Sequence, residues 1–309
     1  MGKLENLTIT IFGGTGFVGR HLIKELCKED CRIQVPTRNT AKSYFLQPLG
    51  DVNQIVPIEC DFEKIETIKS SIEKSDVVIN LIGILFEKRK NEFNQVHFDL
   101  VKKIVRLCND KNIKKFIHFS AIGSEKNSES IYSRTKYLAE EYISKNVKNF
   151  NIIRPSIIFG PEDNFFNLFA KLTTISPFLP LIMGGKTKFQ PVYVEDVCKG
   201  IIKIIRLNNF NLIYEFGGPD IYSFKQLMNI LLKSINRKRI LLYTPKKIAI
   251  LMAKFFQILP NPLITEDQIK LLNYDNIVLN NHLTFKELKI NPTSLELIIP
   301  NYLKRFKKY

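Results

Sequence analysis

A glycine-rich segment near the amino terminus, Gly13 to Gly19, has the spacing of a phosphate-binding turn. Its glycines at positions 13, 16 and 19 follow a β-branched apolar run and precede a helical pattern. In that setting the first glycine permits a tight turn, the second lets a pyrophosphate approach the helix amino terminus, and the third allows close packing of helix and strand. The segment therefore predicts dinucleotide binding, with an ordinary tight turn as the alternative.

Side chains that follow the next strands bear on which dinucleotide is bound. An acid after the second strand binds the ribose of NAD, whereas a cation binds the 2′-phosphate of NADP. Arg38 occupies this position and no acid is next to it, which favours NADP(H) over NAD(H), although NAD(H) remains possible. The alternative is that Arg38 is a surface arginine that contacts no ligand. Asp61 and Phe62 are predicted to flank the adenine, and Leu81 and Gly83 to line the nicotinamide ribose.

Tyr132 and Lys136 are four residues apart in a predicted helix, so both side chains face the same side. An ammonium group lowers the pKa of a neighbouring phenol and binds ribose hydroxyls, so Tyr132 is a candidate general acid or base beside the nicotinamide. Ser120, which ends a predicted strand, is placed to hold a substrate oxygen. A solvated helix face is the alternative for this spacing.

The elements that must position these residues alternate between strands and helices over the first 160 residues. Several strands are apolar throughout, which indicates a doubly wound parallel α/β sheet covered on both faces. We expect a Rossmann domain over residues 1–160, to which 190–207 return, and a smaller α/β lobe over 161–309. The predicted strands are Leu7–Phe12, Arg32–Thr37, Gln54–Ile58, Asp76–Ile82, Lys115–Ser120 and Asn151–Arg154, and the predicted helices include Phe17–Lys28, Phe93–Asn109 and Ile131–Ser144.

Positive charge is concentrated at the carboxyl end of the chain. The 309 residues carry a formal net charge of +16, and residues 225–309 hold 15 Lys and Arg against 5 Asp and Glu. An apolar helical pattern begins at Lys246 and Lys247 and ends at Pro260. This segment is too short to span a bilayer, so we expect a helix that lies in a membrane interface, docks onto a partner, or is buried in the protein. The basic tail, 304–309, suits anionic lipid or acidic protein. Nucleic acid is not expected, because no recognition motif accompanies the charge.

The cysteines and histidines predict neither disulfides nor a metal site. Five cysteines form no paired framework, and none of the four histidines has a His or Cys neighbour at ligand spacing. The polar start of the chain predicts no signal peptide. We therefore expect a protein of a reducing, cytoplasmic compartment.

Several segments resemble, in order, signatures of the extended and atypical short-chain dehydrogenase/reductases. These are GGTGFVG, NLIG, FIHFSAIGS, YSRTK, IIRPSIIFGP and FQPVYVEDV. More narrowly, RPSIIFGPEDNFFNLFA, LPLIMGGKTKFQPVYVEDV and YEFGGPDIYSFKQLM resemble the bacterial relatives of the nucleotide-binding accessory subunit of respiratory complex I. The resemblance extends from Thr8 to about Val278.

This resemblance implies a Rossmann-fold subunit whose bound NADPH is structural. Its partners would be subunits of complex I, at the cytoplasmic face of the inner membrane, with the basic carboxyl-terminal region against anionic lipid. Enzymes of the superfamily often carry adjacent hydroxyl residues after the fifth strand, whereas Ser120 stands alone here and leaves the catalytic hydroxyl open. The implied contacts are Gly13, Thr15, Gly16, Phe17 and Val18 to phosphate, Arg38 to the 2′-phosphate, Lys136 to ribose, and Pro155 and Ile158 to the nicotinamide.

Two other functions remain open from the sequence. One is an active NADPH-dependent reductase, or a nucleotide-sugar epimerase or dehydratase, in which Tyr132 is the acid or base, Lys136 its activator and Ser120 the orienting group. The other is a binding module that reports the ratio of NADPH to NADP to a partner.

Overall fold

The fold is built around a sheet of parallel strands. The computed structural model of the protein describes residues 4–257, 262–279 and 281–308. The strands of this part are β1 (Thr8–Phe12), β2 (Arg32–Thr37), β3 (Ile55–Glu59), β4 (Val77–Asn80), β5 (Lys115–Phe119), β6 (Phe150–Pro155), β7 (Ile158–Phe159), β8 (Phe178–Ile182), β9 (Lys188–Phe189), β10 (Val192–Tyr193), β11 (Leu212–Phe216), β12 (Tyr222–Ser223) and β13 (Ile240–Thr244).

Helices follow most strands of the sheet. In the described residues they are α1 (Phe17–Leu26), α2 (Ile65–Ile72), α3 (Glu92–Asn94), α4 (Leu100–Asp110), α5 (Ile131–Asn146), α6 (Phe165–Ile175), α7 (Val194–Arg206), α8 (Phe224–Ser234), α9 (Lys246–Phe256), α10 (Glu266–Leu271) and α11 (Leu295–Tyr302). A π-helical turn, Gln95–Asp99, joins α3 to α4, and 3₁₀ segments span Ala41–Leu49, Met183–Gly185 and Leu303–Phe306.

The main sheet of the described chain has seven parallel strands in the order β11, β6, β5, β4, β1, β2, β3. Strand order reverses between β1 and β4, which creates a crevice at the carboxyl ends of these two strands. Ligands of open α/β sheets bind at such a reversal. The doubly wound α/β fold predicted from the sequence is confirmed.

Both faces of the sheet are buried, as its apolar strands require. Neighbouring residues of a strand point to opposite faces, so Ile11 packs in the core beneath α1 and α7 while Phe12 packs with α2, α4 and α5. Ile11 and Phe12 are both fully buried. This two-sided burial holds the carboxyl edge of the sheet in place, and the predicted site residues follow from that edge.

Two predicted elements differ from the observed ones near the site. The strand predicted at Asp76–Ile82 ends at Asn80, because the Asn80 side chain accepts the N–H of Ile82 (3.1 Å) and turns the chain away from the sheet. The helix predicted at Phe93–Asn109 is interrupted by the π turn at Gln95–Asp99. A π turn is set by local packing, and the apolar spacing of the sequence does not report it.

The last strand of the sheet, β11, is absent from the predicted strands because the charged Glu215 interrupts its apolar run. In the fold Glu215 is buried, and its carboxylate lies 3.6 Å from the guanidinium of Arg154 on β6. Arg154 also forms a bidentate pair with Glu140 of α5. This strand belongs to the main sheet although it lies within residues 161–309, and the two-domain division remains a prediction.

The basic tail is packed against α8 and the residue that follows it. Leu303 is fully buried there, and the N–H of Lys308 donates to the carbonyl of Ile235 (3.1 Å). Lys304, Lys307 and Lys308 are exposed. Two predicted segments end outside the described residues. The predicted tail ends at Tyr309, and the predicted apolar helix ends with Ile258 to Pro260.

Across the described ranges, no helix has the combination of length and apolar composition needed to cross a bilayer. The same ranges contain no group of three or more His, Cys, Asp or Glu side chains arranged to hold a metal ion. The five cysteines are all within these ranges and unpaired.

Candidate functional site

The glycine-rich turn joins β1 to α1 at the strand-order reversal. Gly13 has a φ of +82°, and the N–H of Gly16 closes the turn on the carbonyl of Gly13 (3.0 Å). A Cβ atom at Gly19 would lie 2.4 Å from the Gly13 oxygen, so the helix packs against the turn only because residue 19 has no side chain. Gly13 and Gly19 therefore meet geometric needs of the turn, and the approach of a pyrophosphate at Gly16 stays a prediction.

The amino terminus of α1 is suited to an anion. Gly16 is its N-cap, and no side chain of the described residues caps it, nor does an acid stand in its first turn. Its first N–H groups and the positive end of its dipole can therefore face a phosphate. Thr15 and Gly16 lie at the turn, and Phe17 and Val18 begin the helix, with the Phe17 ring against Gly160 after β7.

Arg38, the predicted contact of a 2′-phosphate, follows β2, and its exposed side chain has no hydrogen bond or ion pair to another described residue. Arg20 is a second cation, beside the glycine-rich turn, that was not among the residues predicted from the sequence. It lies over the ring of Phe45 (5.5 Å to the centroid) and donates to the carbonyl of Thr15 (3.3 Å). Its position one turn into α1 is a signal that could have identified it.

Asp61 and Phe62 follow β3 on the same side of the reversal. The Asp61 carboxylate accepts the N–H of Glu63 (3.0 Å) and lies 3.6 Å from Lys64, and the Phe62 ring is 6.2 Å from the ring of Phe12. Both side chains are partly buried. Their contact with adenine remains a prediction.

Lys136, Gly83 and His97 meet at the other end of the crevice. Lys136 is 4% exposed, and its Nζ donates to the carbonyl of Phe119 at the end of β5 (2.9 Å). A Cβ atom at Gly83 would lie 3.2 Å from this Nζ and 3.7 Å from Nε2 of His97. Leu81 is close to the turn as well, since a Cβ atom at Gly13 would lie 3.1 Å from its carbonyl carbon.

Burial sets the acidity of both members of the Tyr-x-x-x-Lys pair. It lowers the pKa of Lys136 to about 8. It also raises the pKa of Tyr132 to about 12, with the negative charge of Asp267 as a second cause. The expected lowering of this phenol's pKa by Lys136 is not found in this arrangement, in which desolvation and the charge of Asp267 raise the pKa.

His97 lies beside the predicted site residues Gly83 and Tyr132, although it was not predicted from the sequence. Its Nε2 accepts the N–H of Ile84 (3.1 Å), and its Nδ1 lies 3.1 Å from Oγ1 of Thr135, which donates to the carbonyl of Tyr132 (3.0 Å). Burial, with the nearby charge of Lys136, lowers the pKa of His97 to about 2, so the ring is neutral. Its edge meets the ring of Tyr132 at 5.2 Å between centroids. His97 lies in the π turn, which the apolar spacing of the sequence does not report.

Ser120 has a hydroxyl neighbour in space, although the residues directly before and after it in the sequence carry no hydroxyl. Its Oγ is 3.0 Å from Oγ of Ser124, which donates to the carbonyl of Ala121 (2.8 Å). Ser124 is therefore a second hydroxyl at this loop. Neither Ser120 nor another described residue is hydrogen-bonded to the Tyr132 phenol, so the structure does not bring these two predicted catalytic residues into direct contact.

Pro155 is the last residue of β6 and Ile158 is the first residue of β7. The Pro155 carbonyl accepts the N–H of Ile122 (3.1 Å), which ties the loop that carries Ser120 to β6. Ile158 pairs with Val192 in the short β7–β10 ladder and is partly buried. Their contact with a nicotinamide stays a prediction.

Comparison with known proteins agrees with this geometry. The 3-beta hydroxysteroid dehydrogenase/isomerase family matches residues 10–208. The chain is 33% identical over 319 residues to NADH dehydrogenase (ubiquinone) 1 alpha subcomplex subunit 9, mitochondrial, of Arabidopsis thaliana, covering 99% of this chain and 79% of that protein. It is 28% identical over 307 residues to NADH-ubiquinone oxidoreductase 40 kDa subunit, mitochondrial, of Neurospora crassa, covering 99% and 81%. Ceramide reductase of Caulobacter vibrioides is 23% identical over 205 residues, covering 66% and 63%.

Solved structures share the fold at low identity. UDP-glucose 4-epimerase from Thermotoga maritima, with UDP-glucose, has a TM-score of 0.74 at 16% identity and covers 97% of this chain and 98% of its own. UDP-glucuronic acid 4-epimerase from Bacillus cereus, with UDP-glucuronic acid and NAD, has a TM-score of 0.69 at 18% identity and covers 97% and 99%. The chain therefore belongs to the 3-beta hydroxysteroid dehydrogenase/isomerase family of extended short-chain dehydrogenase/reductases.

Proposed function

We propose that this protein is an NADPH-binding accessory or assembly subunit of a respiratory NADH:quinone oxidoreductase, complex I, in which the dinucleotide is mainly structural. The extent of the similarity carries the proposal, since the Arabidopsis thaliana subunit matches 99% of the chain at 33% identity. The ceramide reductase, which is named for a reaction, matches 66% at 23% identity. Subunits of complex I are the proposed partners.

The turn and the first helix fit a dinucleotide on physical grounds. Gly19 allows the close approach of α1, the amino terminus of α1 is uncapped by described side chains, and Arg38 is free of described partners. NADP(H) is preferred in this proposal, and NAD(H), which is bound in the Bacillus cereus epimerase, is the alternative. When bound, the dinucleotide could supply hydride chemistry, which a structural role does not require. The residues proposed to hold it are Gly13, Thr15, Gly16, Phe17, Val18, Arg38, Asp61, Phe62, Leu81, Gly83, Lys136, Pro155 and Ile158.

The surroundings of Tyr132 support a structural dinucleotide. A general acid or base works best when its pKa is near the working pH, whereas the pKa of this phenol is raised to about 12. Lys136 is held by the Phe119 carbonyl and placed to bind a ribose. These groups are better suited to holding the nicotinamide end than to rapid proton transfer.

A catalytically active oxidoreductase, or a nucleotide-sugar epimerase or dehydratase, is the second candidate. The intact pair Tyr132 and Lys136, with Ser120 and Ser124 nearby in the fold, favours it. In this case Lys136 would orient the ribose, Tyr132 would move the proton and Ser120 would hold the substrate oxygen. Replacing Tyr132 with Phe should then abolish turnover while the dinucleotide stays bound, and unchanged turnover would rule the role out.

The exposed face of α9, formed by Ile248, Leu251 and Phe255, supports a docking role for the carboxyl-terminal region. These side chains are 52%, 70% and 70% exposed, while Ala249 and Ala253 bury the opposite face. Lys247 and Lys254 are exposed on the same helix. An apolar face with basic neighbours suits the surface of an anionic membrane. We place the protein peripherally there, at the cytoplasmic face of the inner membrane.

Affinity purification from native membranes tests the proposed function directly. The protein should be recovered with complex I subunits, identified by mass spectrometry, and with the absorbance of a bound reduced nicotinamide. A gently purified protein that is free of every complex I subunit at low salt would contradict the proposed partnership. Recovery of the subunits without any dinucleotide would contradict the cofactor part alone.

A further inference from the structure

The amino end of α5, the helix that carries Tyr132 and Lys136, is capped from a distant part of the chain. Asp267 of α10 accepts the hydroxyl of Ser130 (2.6 Å) and the N–H groups of Ile131 (2.7 Å) and Tyr132 (3.2 Å). The first N–H groups of a helix have no partner within it. A carboxylate at this end is further favoured by the helix dipole.

The next residue of α10 reaches the opposite wall of the crevice. The side chain of Gln268 donates to the carbonyl of Leu85 (3.3 Å), in the loop that follows β4 and Gly83. The start of α10 is itself fixed by a reciprocal cap between Thr265 and Gln268. This short helix therefore contacts both the first turn of α5 and the loop across from it.

We propose that Asp267 is a positioning residue that holds the first turn of α5, and with it Tyr132 and Lys136, in place at the nicotinamide end of the site. The inference rests on the proposed dinucleotide binding and extends it to a residue of the carboxyl-terminal region. Tyr132 contacts Asp267 through its own backbone N–H, and Lys136 lies one turn further along the helix. The charge of Asp267 also contributes to the raised pKa of the Tyr132 phenol.

Two ligands separate an effect at the nicotinamide end from a general loss of structure. NADPH fills the whole proposed site, whereas adenosine 2′,5′-bisphosphate fills only the end near Arg38. The full-length variant Asp267→Ala should bind NADPH about tenfold more weakly, as expected for the loss of charge-assisted hydrogen bonds, and should bind the bisphosphate within about twofold of wild type. The fluorescence maximum of bound NADPH should shift as well, because its nicotinamide surroundings change.

Glu266→Ala is the matched control, because Glu266 is an acid on the same helix whose partner is Lys270 (3.3 Å). It should leave both affinities unchanged. Asp267→Asn keeps the shape of the side chain and carries the test if the alanine variant does not fold; its NADPH affinity should fall between those of Asp267→Ala and wild type.

Three results would overturn the inference. Unchanged NADPH binding and emission in Asp267→Ala would show that the cap does not position the site. Equal losses for NADPH and the bisphosphate in a folded Asp267 variant would show a general structural role. If wild type binds neither ligand, the proposed dinucleotide function fails and the inference fails with it.

Discussion

Lys136 is a buried cation whose ammonium is held by one backbone carbonyl, that of Phe119. Burial lowers its pKa from 10.5 to about 8 in the folded protein. Between these values the unfolded chain binds a proton that the folded protein does not, so the contribution of Lys136 to stability rises with pH across this window. Below pH 8 both states are protonated and the folded state carries the full cost of the buried charge.

Replacing Lys136 with Met removes this titration while keeping much of the side-chain volume. We expect the stability of the ligand-free wild type relative to Lys136→Met to increase from pH 8 toward pH 10.5. Urea unfolding of both proteins at several pH values measures the difference, in which groups common to both cancel. Parallel stability curves over this range would show that the pKa of Lys136 is not lowered.

Arg38 is the residue on which the choice of dinucleotide depends. Arg38→Ala should weaken NADPH binding by about 10- to 100-fold, the range for a lost hydrogen bond between charged groups, and should leave NADH binding nearly unchanged. Fluorescence titration with both dinucleotides measures this selectivity. Arg32→Ala is the matched control, since Arg32 is exposed at the opposite end of the same strand. An equal effect on both dinucleotides would contradict a 2′-phosphate contact.

At the scale of elements, the carboxyl-terminal helix α11 is joined to the loop before α6 by a partly buried hydrogen bond. The hydroxyl of Tyr302 donates to Asp163 (2.6 Å), whose carboxylate also accepts the N–H groups of Gly160 (3.2 Å) and Phe166 (2.6 Å). Asp163 thus caps α6 and anchors α11 at the same time. Burial, together with the negative charge of Asp163, raises the pKa of Tyr302 well above its usual range.

Tyr302→Phe should lower the free energy of unfolding by about 2 kcal/mol, because it removes a partly buried hydrogen bond to a charged acceptor. Chemical denaturation measures the loss. Tyr274→Phe is the control, since Tyr274 is 49% exposed and should change stability little. A Tyr302→Phe protein as stable as wild type would show that the apolar contacts of α11, such as buried Ile299, are sufficient on their own.

At the scale of the whole molecule, charge and exposed apolar surface both belong to the carboxyl-terminal region. The packing of Leu303 makes deletion of residues 300–309 a poor probe, because deletion removes part of the core with the charge. Substitutions of exposed side chains avoid this problem. They can separate the apolar contribution of α9 from the electrostatic contribution of the tail.

Binding to vesicles that contain phosphatidylglycerol should depend on both features. The double variant Leu251→Ser, Phe255→Ser should weaken vesicle binding at all salt concentrations, because it removes apolar area.

Replacing Lys304, Lys307 and Lys308 with Gln should weaken vesicle binding mainly at low salt, by about 1 kcal/mol per charge. Co-sedimentation measures both. Ile175→Ser, at an apolar side chain of α6 that is 76% exposed, is the control. A loss as large in the control would point to non-specific adsorption.

The sequence by itself determined the doubly wound fold and the position of the glycine-rich turn, because strand alternation, helical spacing and the conformational freedom of Gly13 act over a few residues. It also placed Arg38, Tyr132 and Lys136 at or after predicted elements of the carboxyl edge. These signals are local, so they can be read without knowing which distant segments meet.

Only the tertiary structure decided what surrounds those residues. His97 reaches the site through a π turn, Glu215 becomes a buried strand residue because Arg154 faces it, and Asp267 caps a helix 137 positions earlier in the chain. The raised pKa of Tyr132 follows from the same long-range packing. Desolvation and charge pairing depend on distances in space, and the order of residues along the chain does not give those distances.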